Sequence, residues 1–202
     1  MTSRIYIVLI LFLLGCTNKE LDSELPILAS SWIDDNGNEV AYRPPSFKLT
    51  DQHNNTFSSK QLKGKVHVVD FFFSSCPTIC PKMTNHMKVI QDHFSDNEGL
   101  TLISFSIDPT YDDPERLNAY AESYGINYKQ WKLLNDLNKE TVFDLSKEYK
   151  VRAFEELFGE ERNLVHDGTF VLMDEQGRVR GYYDGLDKES VDQLIEDIEI
   201  LL

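Results

Sequence analysis

Basic residues are scarce in this chain, where 20 Lys and Arg face 34 Asp and Glu for a formal net charge of −14. That balance excludes nucleic acid as a partner and electrostatic docking on anionic lipid, and it suits an acidic domain that meets basic or neutral protein surfaces. Long apolar runs are also lacking: the stretch Ile5 to Leu14 is too short to span a bilayer. There is no internal repeat and no sign of a second core, so one domain is expected. Cysteine is nearly absent, with Cys16, Cys76 and Cys80 making up the whole complement.

What is present at the N-terminus is a basic Arg4, the apolar run, and then Leu14-Gly15-Cys16. This order reads as a lipoprotein signal peptide over residues 1–15, with a lipobox-like junction that places a lipid on Cys16. The alternative is a buried N-terminal helix with an incidental cysteine. Residues 16–31 are polar, mixed in charge and without period, and read as a tether. The folded domain is expected over 32–202, extracytoplasmic, attached to a membrane by the lipid, and exposed to an oxidising compartment.

Along the domain, Ser46–Thr50 and Thr56–Phe57 flank a polar turn and predict an opening hairpin. Lys65–Phe73 is β-branched and aromatic throughout, the pattern of a central strand buried on both faces. The loop Cys76-Pro77-Thr78-Ile79-Cys80-Pro81 follows it directly and leads into a helix marked by Met83, Met87, Ile90 and Phe94. A second buried strand over Leu100–Ile107, a helix over Pro114–Tyr124 capped by Asp112 or Asp113 and stopped at Gly125, a short strand over Trp131–Leu134 and a helix over Lys139–Tyr149 come next. A hairpin of Thr169–Asp174 with Arg178–Tyr183 and an amphipathic helix over Ser190–Leu202 close the chain. This order predicts a thioredoxin-like α/β sandwich, a central mixed sheet flanked by helices.

With Cys16 lipidated, two thiols remain, four apart where a buried strand gives way to a helix. Residues at that spacing share a helix face, and the helix N-terminus favours thiolate over thiol. Such a pair either exchanges a disulfide or holds a soft metal such as Cu(I). His166, far downstream in Leu164-Val165-His166-Asp167-Gly168-Thr169 and just ahead of a strand, would complete a trigonal site of two Cys and one His.

VVDFFFSSCPTICPKM, LISFSIDPTYDDPERLNAYAESYG and the His166 segment together resemble the Sco/SenC proteins over most of the domain. The resemblance implies that Cys76, Cys80 and His166 bind copper, and that the metal goes to the dinuclear copper centre of a cytochrome c oxidase subunit. Copper loading would need a reductant, supplied by a thiol-reducing partner protein, because a disulfide destroys the site. The site is expected to be shallow and solvent-facing, with Cys76 more accessible than Cys80.

A thiol-disulfide oxidoreductase is the competing reading. Asp70, on the same strand side as residues 72 and 74, looks like the buried acid that takes a proton from the second thiol of thioredoxins. Against it, three residues rather than two separate the cysteines, and Gly168 stands where a thioredoxin site has proline, which would leave room for His166. A third reading, an interaction module with no chemistry, requires that Cys76 and Cys80 tolerate serine.

Asp108, at the end of a buried strand, could hydrogen-bond His166 or tune the thiols from behind, or serve only the turn. Met83 and Met87 have the spacing of a core stripe rather than of ligands. His86 and His93 are expected on a solvated helix face, and His53 and His67 lack a partner pattern. Arg152 to Asn163 reads as a flap or docking loop ahead of His166.

Overall fold

The computed structural model describes residues 25–28, 31–95, 97–158 and 161–202. The expected signal peptide, Cys16 and most of the expected tether lie outside these residues. No helix among the described residues is long and apolar enough to cross a membrane.

Eleven strands and four helices follow in chain order: β1 Ser31–Ile33, β2 Glu39–Ala41, β3 Lys48–Asp51, β4 Thr56–Ser58, β5 Val66–Phe72, α1 Cys80–His93, β6 Leu100–Ser106, α2 Pro114–Tyr124, β7 Trp131–Asn135, α3 Lys139–Glu148, β8 Ala153–Phe158, β9 Glu161–His166, β10 Thr169–Met173, β11 Val179–Asp184 and α4 Lys188–Leu201. Seven strands form one sheet in the order β11-β10-β5-β6-β7-β3-β4. β5, β6 and β7 are parallel, and β10, β11, β3 and β4 extend the sheet antiparallel on either side. This is the thioredoxin-like mixed sheet that the sequence predicts.

β5 and β6 are buried at every position, as strands covered on both faces must be. Alternation along β5 divides the core. Val66, Val68 and Phe72 pack with Met83, Met87 and Ile90 of α1, Leu117 of α2 and Leu194 of α4. Val69 and Phe71 face the other way, onto Val142 and Leu145 of α3. The period-2 pattern therefore sends Asp70 to the α1 face and His67 to the α3 face.

The helix ends follow their local chemistry. Asp113, not Asp112, caps α2 by accepting from the Arg116 amide at 2.8 Å, and Pro114 fills the first turn, where its missing N–H is no loss. Gly125 takes φ +64 at the C-cap, the left-handed conformation that ends a helix.

Two segments depart from the sequence reading. Residues 31–41 form the antiparallel hairpin β1–β2, ahead of the one predicted. The segment 152–163 is not a loop: β8 and β9 pair antiparallel from Ala153↔His166 to Phe158↔Glu161 as a separate two-stranded sheet. Acidic and basic side chains along it mask the strand alternation in the sequence. Residues 25–28 lie along β11, where the Leu28 amide donates to the Val179 carbonyl at 2.9 Å and Arg180 donates to the Pro26 carbonyl at 3.2 Å.

Candidate metal centre

The site lies at the C-terminal end of β5. Ser74 opens the connecting loop, and its geometry is fixed by Asp112, whose carboxylate accepts from the Ser74 amide at 3.0 Å, from the Ser74 hydroxyl, and from the Ser106 hydroxyl at 2.6 Å. Burial raises the Asp112 pKa against these bonds. Asp112 ties the start of the cysteine loop to the end of β6. The sequence offered it only as a possible helix cap, because two adjacent aspartates before Pro114 do not reveal which one turns inward.

Cys76 sits in the loop, its amide donating to the Phe73 carbonyl at 3.2 Å, and Cys80 is the first residue of α1. The thiols therefore do not share a helix face. They converge because the loop folds back over the helix N-terminus. No side chain caps α1 at Ile79; Pro81 has no N–H and the Lys82 amide donates to the Ile79 carbonyl at 3.1 Å, so the Cys80 amide is the first-turn donor that acts on the site.

His166 comes from the last position of β9, 86 residues beyond Cys80. Its Nδ1 donates to the Asp167 carbonyl at 3.0 Å, which fixes the tautomer and leaves Nε2 with its lone pair. That nitrogen lies 3.0 Å from Cys80 Sγ. The Phe73 ring meets the imidazole edge to face, with centroids 5.7 Å apart. Sγ of Cys76, Sγ of Cys80 and a ring nitrogen of His166 all lie within 4.8 Å of one another, the one such group of three among the described residues. Two sulfurs and an imidazole form a soft donor set of the kind that selects Cu(I).

Both cysteines are free. The Cys80 thiol and the Cys80 backbone amide stabilise a charge on Cys76, so its pKa is driven far below the ordinary thiol range against the cost of burial. Cys80 moves the opposite way, first through its bond to Cys76 and then through burial. The two thiols titrate as a coupled pair in which charge is favoured on Cys76 and the proton on Cys80.

The site is more enclosed than the sequence suggested. Cys76 is 7 % exposed, Cys80 1 % and His166 7 %. Cys76 remains the more accessible sulfur, next to exposed Pro77 and Thr78.

Asp70 lies beneath the thiols. It is 3 % exposed and its Oδ1 has no hydrogen-bond partner. Burial raises its pKa to about 7, with the Ser104 hydroxyl and nearby His166 pulling the other way. Asp108 does not bond to His166. Its backbone carbonyl accepts from Tyr111 and Asp112, and its carboxylate meets Arg162 at 3.4 Å. Arg162 also pairs with Glu155, which in turn pairs with Lys139. This chain of charges links the β8–β9 hairpin to the body of the domain. An isolated Arg in an acidic segment gave no sign of it.

A Cβ at Gly168 would come within 2.9 Å of the Leu186 side chain, and the Gly168 carbonyl accepts from Gly185 at 2.7 Å. Met83 and Met87 are fully buried core residues. His86 is half-buried and donates to the Gly185 carbonyl at 2.7 Å, whereas His93 is exposed and meets Glu199 of α4 at 2.9 Å. His53 stacks on Tyr128 with ring centroids 3.8 Å apart.

The family model described as SCO1/SenC matches residues 36–202. The chain belongs to the SCO1/SenC family. Among solved structures, a SCO1/SenC family lipoprotein from Bacillus anthracis is 30 % identical with a TM-score of 0.72, the match covering 80 % of this chain and 96 % of that one. BsSco, described as a member of the Sco family of cytochrome c oxidase assembly proteins with a disulfide switch, is 29 % identical with a TM-score of 0.69, covering 80 % of this chain and 94 % of its own. Yeast Sco1 with copper bound is 26 % identical with a TM-score of 0.61, covering 78 % and 89 %.

Proposed function

We propose that this protein binds Cu(I) through Cys76, Cys80 and His166 and delivers it during assembly of the dinuclear copper centre of a cytochrome c oxidase. The convergence of two sulfurs and a bare imidazole nitrogen within 4.8 Å carries this reading. The likeness to copper-bound yeast Sco1 and to BsSco supports it. Copper is the cargo. Charge is favoured on Cys76 and the proton on Cys80, so loading displaces that proton. An incoming thiolate or imidazole from the acceptor reaches the metal on the Cys76 side. His166, held on a hairpin separate from the main sheet, is the ligand that yields. No bare ion is released, because one donor enters as another leaves.

Oxidation of Cys76 and Cys80 to a disulfide removes both sulfur donors, so a thiol-reducing partner belongs to the cycle. Lipid on Cys16 would hold the domain on the extracytoplasmic side of a membrane, in keeping with the lipoprotein from Bacillus anthracis. Mass spectrometry of the exported protein tests that assignment through the mass of its N-terminal peptide.

The deciding experiment is Cu(I) stoichiometry of the reduced protein beside His166→Ala, with a disulfide-reductase assay on both. One-to-one binding that weakens at least tenfold without His166 is expected. Weak copper binding with reductase activity indifferent to His166 would overturn the proposal. It would favour the thiol-disulfide reading, for which the buried, half-satisfied carboxyl of Asp70 is the supporting observation.

A further inference from the structure

At the end of the sheet opposite the thiols, a cleft of about 610 Å³ opens between residues 43–46, residues 59–64 and the β10–β11 turn. Pro44, Pro45, Leu62, Tyr149 and Met173 give it apolar walls. His67 also lines it, although the residue as a whole is only 4 % exposed. His67 and Met173 are register partners on adjacent antiparallel strands, so their side chains stand side by side on the α3 face.

The imidazole keeps an acceptor lone pair without a donor. Its Nδ1 donates to the Lys65 carbonyl at 3.1 Å, which leaves Nε2 as the acceptor, and Nε2 makes no hydrogen bond to any described residue. Burial holds the His67 pKa down to about 4, opposed by the Lys65 bond and by nearby Asp174, so the ring is neutral at neutral pH. That nitrogen is not sealed in the core: it reaches the open space of the cleft, where a donor can meet it. The rim is charged. Arg43 spends its Nε on the Gln176 carbonyl at 2.7 Å, Lys63 stands across from it, and Glu175 is the acid on the same rim.

We propose that this cleft binds a small amphipathic organic anion, with an apolar ring on the proline and methionine walls, a hydrogen-bond donor on His67 Nε2, and an acidic group at Arg43 and Lys63. The volume falls in the range of small-molecule sites. His67 lies five residues before the C-terminal end of β5, which puts the cleft roughly 17 Å from the end of the strand that leads into the cysteine loop, at ~3.3 Å per residue. The two sites can therefore be filled independently.

Anilinonaphthalene sulfonate has all three features and serves as the probe, with N-phenylnaphthylamine as the same body and N–H without the acid. Occupancy on the whole, reduced protein is read at the His67 ring nitrogens by proton–nitrogen correlation, so dye bound elsewhere does not count. The expected result is a saturable one-to-one shift of the Nε2 resonance, with the uncharged dye and the Arg43→Glu, Lys63→Glu variant each binding at least about fivefold more weakly. His67→Phe should lose roughly tenfold, the worth of one buried hydrogen bond. An Nε2 resonance that stays still while dye binding saturates overturns the proposal, and so does equal affinity for the two dyes. Should His67→Phe fail to fold, the wild-type resonance and the charge-reversal variant still decide.

Discussion

Replacing Asp70 with asparagine isolates the energetic cost of an acid buried beneath the thiols. The side chain keeps its shape and loses only its titration. In the wild type the folded state holds the Asp70 proton up to about pH 7, whereas the unfolded chain releases it near 3.8. Across that window the unfolded state binds fewer protons, so rising pH favours unfolding. A gap of about three pKa units at 1.36 kcal/mol each sets the penalty at about 4 kcal/mol, present at pH 8 and absent below pH 4. The assay is urea unfolding of the reduced, metal-free wild type and Asp70→Asn at pH 4 and pH 8. The difference between the two proteins should change by about 4 kcal/mol, with the variant gaining at the higher pH. Parallel pH profiles would show that Asp70 is already ionised in the folded state and refute the argument.

Three further outcomes are expected. Asp112→Ala strands the Ser74 amide and two serine hydroxyls, and should cost about 3 kcal/mol in urea unfolding while loosening the cysteine loop enough to weaken Cu(I) binding. Met87→Ala opens a void against β5 in a fully buried position and should cost 2–5 kcal/mol by the same measurement. Asp113→Ala removes the α2 cap and should cost about 1 kcal/mol, leaving copper affinity unchanged in a competition titration.

The frame was legible because its signals are local. Lys65 to Phe73 announces a strand covered on both faces, and the Met83, Met87, Ile90 periodicity announces the helix that covers it. Asp113, Pro114 and Gly125 punctuate α2 where their chemistry requires. Cys76, Cys80 and His166 were also named from the string, the histidine by its place just ahead of a strand and then by resemblance, since no local pattern spans 86 residues. What escaped was decided by tertiary partners. The β8–β9 hairpin hides behind charges that pair across it and with Lys139 and Asp108. Asp112 looked interchangeable with Asp113 until the position of Ser74 separated them. The depth of the metal site, and the role of Gly168 as a seat for Leu186, depend on how separate elements meet, which sequence period does not encode.

The way residues 25–28 join the sheet gives the molecule a direction. Leu28 bonds to Val179, Val179 is in register with Met173, and Met173 is in register with His67. The chain therefore enters the domain at the foot of the strands, while Cys76 and Cys80 sit at their head. A molecule gripped by its N-terminal stretch is oriented like a torch in the hand, its reactive end projecting outward by the length of β5, roughly 20 Å. Were the chain held by lipid on Cys16 as proposed above, a partner that exchanges metal or electrons with the thiols would approach from the side facing away from the membrane, and a longer stretch ahead of residue 25 would change its reach without changing that aim.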